Sequence, residues 1–282
     1  MPNYGAHAFV WVDEWTTEKG NNAIAAAGRQ GYDFIEIPLL KPHEFDSAVH
    51  KQALARAGIY ATASLVLPDD AHMPAQPRRA KEFLTSALDK LEALGGDYLC
   101  GCIGYALGVF TGAPPTVAER QTVIEVLGEV AADAKKRGIT LGLEAVSRHE
   151  GYVYNSLADV RATIKAIGAD NIQLHADTCH MNVEEEGFYK PLVECADVLG
   201  YIHISESHRG RLGTGTVNWD EVFRGLADAH YKGPLVLEAF TSINPELIAA
   251  TRLWRPPKDA PTEIAGEGLV FMKVGAKRVG LS

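Results

Sequence analysis

Eight short apolar runs, separated by segments with helical spacing, constrain this chain more than any other feature. They span 7–12, 33–37, 59–66, 97–103, 139–144, 171–176, 198–204 and 234–238. Between them, Ala80, Phe83, Leu84, Ala87, Leu88, Leu91 and Leu94 recur at the interval that lines one side of a helix. Ile124, Leu127, Val130, Ala131 and Ala134 do the same. Gly31, Gly58, Gly95-Gly96 and Gly138 fall just before strand-like runs, where a helix needs a residue that accepts the left-handed conformation. Strands alternating with helices specify an α/β fold with a parallel sheet, and eight repeats close it into a (β/α)8 TIM barrel. At 282 residues the chain has the size of one such domain. No stretch reads as a linker, so 1–282 is expected to be a single domain. Its tail, 254–282, is expected to be a turn, RPPKDAPTE (255–263), and a last helix.

Composition excludes several functions. The net charge of −9 repels nucleic-acid phosphates. The basic clusters Arg78-Arg79 and Lys135-Lys136-Arg137 read as solvated helix ends, so no nucleic-acid partner is expected. No apolar run approaches the ~20 residues needed to span a bilayer, so no membrane association is expected either. The opening MPNYGAHAFVW lacks a basic segment followed by an apolar one. Cys100, Cys102, Cys179 and Cys195 make no CxxC motif or disulfide framework, and the expectation is a cytoplasmic protein. Cys100 and Cys102 lie two apart in a strand-like run and should pack on one strand face.

Four strands end in an abrupt acid or histidine. ITLGLE ends at Glu144, IQLHAD at Asp177, LGYIH at His203 and PLVLE at Glu238. The C-terminal strand ends of a (β/α)8 barrel form one rim, and the active site lies there. Three carboxylates brought together repel one another and resist ionising, a penalty that a bound divalent cation removes. Three oxygen donors and one imidazole suit Mn2+, Mg2+ or Co2+, whereas a zinc site carries more nitrogen or sulfur. His175 lies two residues before Asp177, so it points into the barrel one layer deeper, as a support rather than a ligand. Glu36 closes the strand-like FIEIP and is a candidate support for the site. Glu206, between His203 and Arg209, is expected to partner one of them. The loop RLGTGTVNW (211–219) has glycines where barrels can build a phosphate site, but Arg211 is its one cation.

The stretches LEAVSRHEG (143–151), DTCHMNVEEE (177–186), HISESHRG (203–210), GTGTVNW (213–219) and LEAF (237–240) carry a resemblance. They resemble the ketose 3-epimerases, the D-tagatose, D-psicose and L-ribulose group of the xylose-isomerase-like barrels. The resemblance covers nearly the whole chain and is densest from 139 to 240. It implies that Glu144, Asp177, His203 and Glu238 are metal ligands and that Glu144 and Glu238 are the catalytic pair. It implies that Glu150, His180 and Arg209 hold the O1–O3 end of the sugar, and that Trp15 and Phe240 line its far end. It further implies Mn2+ as the ion, with Co2+ or Mg2+ able to substitute, a free ketose as substrate, and a homodimer or homotetramer. There are departures. His7 stands where some members have an aromatic residue, and CIGYALGVF (102–110) lacks a tryptophan that some place there. Both concern the sugar's far end. His149, Cys179 and Ala239 stand where phenylalanine, phenylalanine and proline are common; these flank ligands and leave the chemistry untouched.

The chemistry implied is proton transfer at C3. The C2 carbonyl acidifies the C3 hydrogen, and a divalent Lewis acid stabilises the enediolate left on its removal. Epimerisation needs a base on each face of C3, and Glu144 and Glu238, on the fifth and eighth strands, can flank the substrate. Arg209 suits a developing oxyanion; His180 can donate to O2, and Glu150 can accept from a hydroxyl at O1. The same barrel and metal can also serve a hydroxypyruvate-isomerase-like isomerisation or a sugar-acid dehydration. An endonuclease IV-type phosphodiesterase needs more histidines and a basic groove. A non-catalytic sugar-binding barrel needs no paired bases.

Overall fold

The computed structural model describes residues 2–242, 244–255 and 258–281. Eight parallel strands pair in sequence order: β1 (Tyr4–His7), β2 (Phe34–Pro38), β3 (Tyr60–Val66), β4 (Tyr98–Cys102), β5 (Thr140–Glu144), β6 (Ile172–Asp177), β7 (Leu199–Ile204) and β8 (Leu235–Leu237). β8 then pairs with β1 and closes the barrel. Helices cover its outside. They are α1 (Thr17–Gln30), α2 (Ser47–Ala57), α3 (Pro77–Leu94), α4 (Val117–Lys136) and α5 (Leu157–Ile167). After these come α6 (Thr178–Glu184), α7 (Tyr189–Glu194), α8 (Trp219–Asp228), α9 (Pro245–Thr251) and α10 (Pro261–Arg278). No helix of the described residues is long and apolar enough to cross a membrane.

Local signals set the helix bounds. Thr116 and Glu119 form a capping box at the start of α4, satisfying amide groups that the first turn leaves unpaired. α1 and α3 stop at Gly31 and Gly95, with φ of 84° and 92°, which a side chain would strain. The apolar stripe foreseen on α3 faces inward: all of its seven residues are buried.

Seven of the eight strand-like runs match their strands to within one residue at either end. The first does not. β1 ends at His7, and residues 8–10 form a 3-10 turn instead of a strand. The cause is local: His7 Nδ1 accepts the Phe9 N–H at 3.1 Å, which turns the chain off the sheet while Ala8, Phe9 and Val10 stay buried. Two rim residues also shift. β7 continues to Ile204, so His203 is not its last residue, and Glu238 stands one residue past β8. In the tail, α10 begins at Pro261, inside the turn expected over 255–263; Pro256 and Pro257 of that turn lie outside the described residues. α9 was not anticipated, although Asn244 followed by Pro245 is a helix-start signal, and the Asn244 side chain accepts the Leu247 N–H at 2.8 Å.

Inside the barrel, strand register decides which side chains meet. His7 pairs with Glu36, Glu36 with Thr62, Glu144 with His175, and Asp177 with His203. Toward the other end of the barrel Phe34, Cys100, Tyr201 and Val236 form an apolar cluster, with Tyr98 against it. All four cysteines are free. Gly5 lies opposite Phe34 in register, and a Cβ there would overlap the Phe34 ring. Gly5→Ala is therefore expected to destabilise the fold by about 1–3 kcal/mol, as overpacking does. Adding Phe34→Leu should recover part of that loss, so that the double variant unfolds in urea at a higher midpoint than the sum of the single effects gives.

Candidate active site

A cavity of about 450 Å³ opens at the C-terminal ends of the strands. His7, Trp15, Glu144, Glu150, His180, His203, Arg209, Glu238 and Phe240 line it. Asp177, Glu36 and His175 are fully buried around its base. Of the residues singled out from the sequence, Glu206 alone is neither in its wall nor aimed at it.

The strand ends hold the acids in place. The Tyr105 hydroxyl donates to the Glu144 carbonyl at 2.7 Å, which fixes the end of β5. Asp177 ends β6 and also caps α6. Its Oδ1 accepts the Cys179 and His180 N–H groups at 2.6 and 3.4 Å, while Oδ2 faces the site and accepts Arg209 Nη1 at 2.6 Å. That cap starts the helix whose first turn brings His180 over the cavity. His203 is held from behind: its Nε2 lies 2.9 Å from Glu36 Oε2, which also accepts the Tyr201 hydroxyl at 2.7 Å. Thr62 Oγ1, 2.9 Å from that hydroxyl, is left as its donor. His203 Nδ1 therefore faces Glu238 Oε1 at 3.4 Å and Asp177 Oδ2 at 3.7 Å.

Arg209 is buried, not a surface loop residue. Its backbone adopts a left-handed φ of 59°, and this turn directs the side chain inward over the Phe240 ring, 5.5 Å from guanidinium to centroid. Its Nη1 bridges Asp177 and Glu238 and reaches Ser205 Oγ at 3.1 Å. Trp15 is pinned on the opposite wall, where its Nε1 donates to His50 Nε2 at 3.2 Å and its ring stacks on Phe45. His7 sits between Phe240, 6.4 Å between ring centroids, and Glu36 Oε1 at 3.7 Å.

The charges are unequal. Burial raises the pKa of Glu144 well above the usual carboxylate range, and Asp177 and Glu238 push the same way. Glu150 is pushed up to about 8, chiefly by burial, against the pull of Arg209. Burial would raise Asp177 too, but Arg209 beside it holds it well below the usual range. His203 shows the reverse balance: burial opposes its charge, yet Glu36 and Glu238 lift it well above an ordinary histidine. Burial, then His203, pushes His175 well below the usual value, so it is neutral.

His180 is pushed down to about 3 by burial and by Arg209, so its ring is neutral as well. Its Nδ1 accepts the Ser147 N–H at 3.0 Å, which assigns the ring proton to Nε2. Nε2 lies 2.9 Å from Arg209 Nη2. Both atoms are then donors, so neither can bond the other. An oxygen set between them would accept from both.

The donor set fits a divalent cation. Donor atoms of Asp177, His203 and Glu238 lie within 4.8 Å of one another, and so do those of Glu144, Asp177 and His180. His203 Nδ1 is buried with no hydrogen-bond partner, while Glu36 holds the ring's other nitrogen. An imidazole oriented by a carboxylate in this way presents its free nitrogen as a ligand. A third group joins Glu144 and His203 with His175. His175 was expected only as a support; its ring stands edge-on to His203 at 4.2 Å, neither nitrogen has a hydrogen-bond partner, and Nδ1 lies 3.7 Å from Glu144 Oε2.

Glu206 corrects an expectation. Its carboxylate accepts from the Ser207 N–H (2.9 Å), the Gly213 N–H (2.9 Å), the Val217 N–H (3.3 Å) and Trp219 Nε1 (3.1 Å). It braces the loop 211–219, and only its backbone carbonyl serves Arg209, at 2.8 Å. The same bonds argue against phosphate in that loop, because an acid already occupies amides that would cradle it. Sequence reasoning missed Tyr201, Thr62, Ser147 and His50. Tyr201 was findable: it precedes His203 by two residues on β7 and so shares its face. His50 comes from the distant α2 and leaves no local signal.

Comparison with known proteins follows the same geometry. The profile of the xylose isomerase-like TIM barrel family matches residues 24–271. The L-ribulose 3-epimerase of Methylomonas sp. (strain DH-1) is 39% identical over 276 residues, covering 96% of each chain. The ketose 3-epimerase of Arthrobacter globiformis is 36% identical over 257 residues, 89% of each. A crystal structure of D-allulose 3-epimerase from Methylomonas sp. in complex with D-allulose superimposes with a TM-score of 0.93 at 38% identity, covering 97% of this chain and 96% of that one. A family 2 AP endonuclease from Brucella melitensis, at TM-score 0.72 and 17% identity, shares the fold alone. The chain therefore belongs to the xylose isomerase-like TIM barrels and, within them, to the ketose 3-epimerases, enzymes of the isomerase class.

Proposed function

We propose that this protein interconverts free ketoses epimeric at C3, with Glu144 and Glu238 as the proton-transfer pair. Glu144, Asp177, His203 and Glu238 would hold a divalent cation; the donor set suits Mn2+, Co2+ or Mg2+, and the family resemblance favours Mn2+. One observation carries the reading. Two glutamates from β5 and the end of β8 face the same cavity, and a pair of neutral and cationic donors, His180 and Arg209, stands between them. L-Ribulose and D-allulose, named for two relatives, lead the substrate panel.

A cation held there would supply Lewis acidity toward the sugar's carbonyl oxygen. The chain's own groups do the rest. His180 Nε2–H and Arg209 Nη2–H converge on one point, where a substrate oxygen would accept from both and the charge developing on it would be stabilised. Glu150, near-neutral by burial, lies 4.0 Å from both Arg209 Nη2 and His180 Nε2 and binds a neighbouring hydroxyl. One glutamate removes the C3 proton and the other, on the opposite face, delivers one; the reverse reaction exchanges their roles. Trp15, Phe240 and His7 border the sugar's far end and exclude water there.

Three outcomes test this. Purified protein, stripped of metal and reloaded with Mn2+, should convert D-tagatose, D-fructose, D-allulose and L-ribulose to their 3-epimers, with solvent deuterium entering at C3. An aldose or dehydrated product in place of the epimer, or full activity after verified metal loss, would refute it. Glu144→Gln and Glu238→Gln should each lower kcat by about 10²–10⁴-fold, the worth of a positioned acid–base group. Cation binding should release protons near neutral pH, because Glu144 and His203 both hold protons that ligands must lose. The sign follows: affinity rises with pH, and calorimetry in buffers of different ionisation heat reads the protons released. No release would contradict the assigned ligands.

A further inference from the structure

The Glu150 carboxylate makes no hydrogen bond among the described residues, and Arg209 Nη2 and His180 Nε2 each stand 4.0 Å away. The backbone is what places it. The Glu150 carbonyl accepts the Gly108 N–H at 2.8 Å, and the Glu150 N–H donates to the Ser147 carbonyl at 2.9 Å. Gly151 follows, packed so closely that an added Cβ would lie 3.0 Å from Val146 and 3.1 Å from Tyr105. The next residue, Tyr152, ties this segment to the two strand-to-helix units before it.

Tyr152 stands in a chain of hydrogen bonds that runs one way. The Ala106 N–H donates to His72 Nδ1 at 3.2 Å, which assigns the His72 ring proton to Nε2. That nitrogen lies 3.4 Å from the Tyr152 oxygen, and the two rings stack with 25° between their planes. Tyr152 then donates its own hydrogen to Glu119 Oε1 at 2.5 Å. Glu119 Oε2 is engaged by the Thr116 N–H and hydroxyl, at 2.7 and 2.8 Å. The Tyr152 bond, then the Thr116 N–H, holds the Glu119 carboxyl below its usual pKa, so it stays an anionic acceptor. His72 follows β3, Glu119 lies in the first turn of α4 and Tyr152 follows β5, so three loops meet at one phenol. A phenylalanine would keep the ring stack. The hydroxyl adds direction, because a hydrogen bond to a charged acceptor fixes where its donor lies. That fixed point is two residues from Glu150.

We propose that Tyr152, held by Glu119 and His72, is a positioning residue for the O1 end of the ketose, acting through the backbone that carries Glu150. The inference rests on the reading that Glu150 binds the hydroxyl next to the sugar's carbonyl. Its test is calorimetry on the Mn2+-loaded full chain, which requires no turnover, with D-fructose and 1-deoxy-D-fructose as probes. Wild type should bind D-fructose about tenfold more tightly, because a polar group built to meet a hydroxyl is left unpaired by the 1-deoxy sugar. Tyr152→Phe should weaken D-fructose about threefold or more and leave the 1-deoxy sugar nearly unchanged, so the ratio falls. Glu119→Ala should do the same, whereas Glu119→Gln, which still offers the phenol an acceptor, should keep the ratio. Thr116→Ala weakens the α4 cap alone: it should lower the melting temperature and leave the ratio at its wild-type value. A wild-type ratio in Tyr152→Phe would overturn the inference. So would an equal fall in Thr116→Ala, which would reduce the effect to general loosening. Glu150→Ala separates the two readings, since it should erase the preference for D-fructose. A preference that survives it, or one missing from wild type, would remove Glu150 from the sugar and the inference with it.

Discussion

The structure depends on the crowding of buried negative charge at one end of the barrel. Glu36, Glu144, Asp177 and Glu238 are all buried within the same few layers. Like charges this close cannot all stay ionised without compensation. The protein supplies that compensation unevenly. Glu36 is neutralised by His203 and hydrogen-bonded by Tyr201. Asp177 and Glu238 share Arg209. Glu144 has no close cation, and burial raises its pKa well above the usual carboxylate range. The guanidinium reaches Glu238 and leaves Glu144 without such a partner.

The barrel was legible because its determinants are local and repeated. Apolar runs, helical stripes and terminal glycines each state their element within a few residues. The rim acids were legible for the same reason, since the end of a strand is a place the sequence can name. The misses come from bonds the sequence cannot order. His7 was placed at the start of a strand, yet its ring nitrogen captures an amide two residues on and ends the strand there. Glu206 was assigned to its neighbours in sequence, yet four donors from the following loop and Trp219 outcompete them. His50 meets Trp15 only because α1 and α2 pack side by side.

The contact between His180 and Arg209 has a different standing from the others. Most polar pairs in the site satisfy each other. This one does not, because the Ser147 amide has already claimed the nitrogen that could have made His180 an acceptor at its far side. Two donors held face to face keep a reserved position for an acceptor. Preorganisation of this kind avoids reorientation at the moment charge develops, which is where electrostatic stabilisation is most effective.

Asp177 does two jobs with its two oxygens: one ends the strand and caps α6, the other faces the site. A longer acid would lose the cap, and an amide would lose the charge. The reacting end of the cavity is thus frozen to change, since each group there is tied to another's position. The opposite wall is tied elsewhere: Trp15 bonds to His50 and stacks on Phe45, away from the acids. Divergence among barrels of this kind can therefore run along that wall. A lineage can reshape the cavity there by exchanging a side chain that none of the buried acids touches.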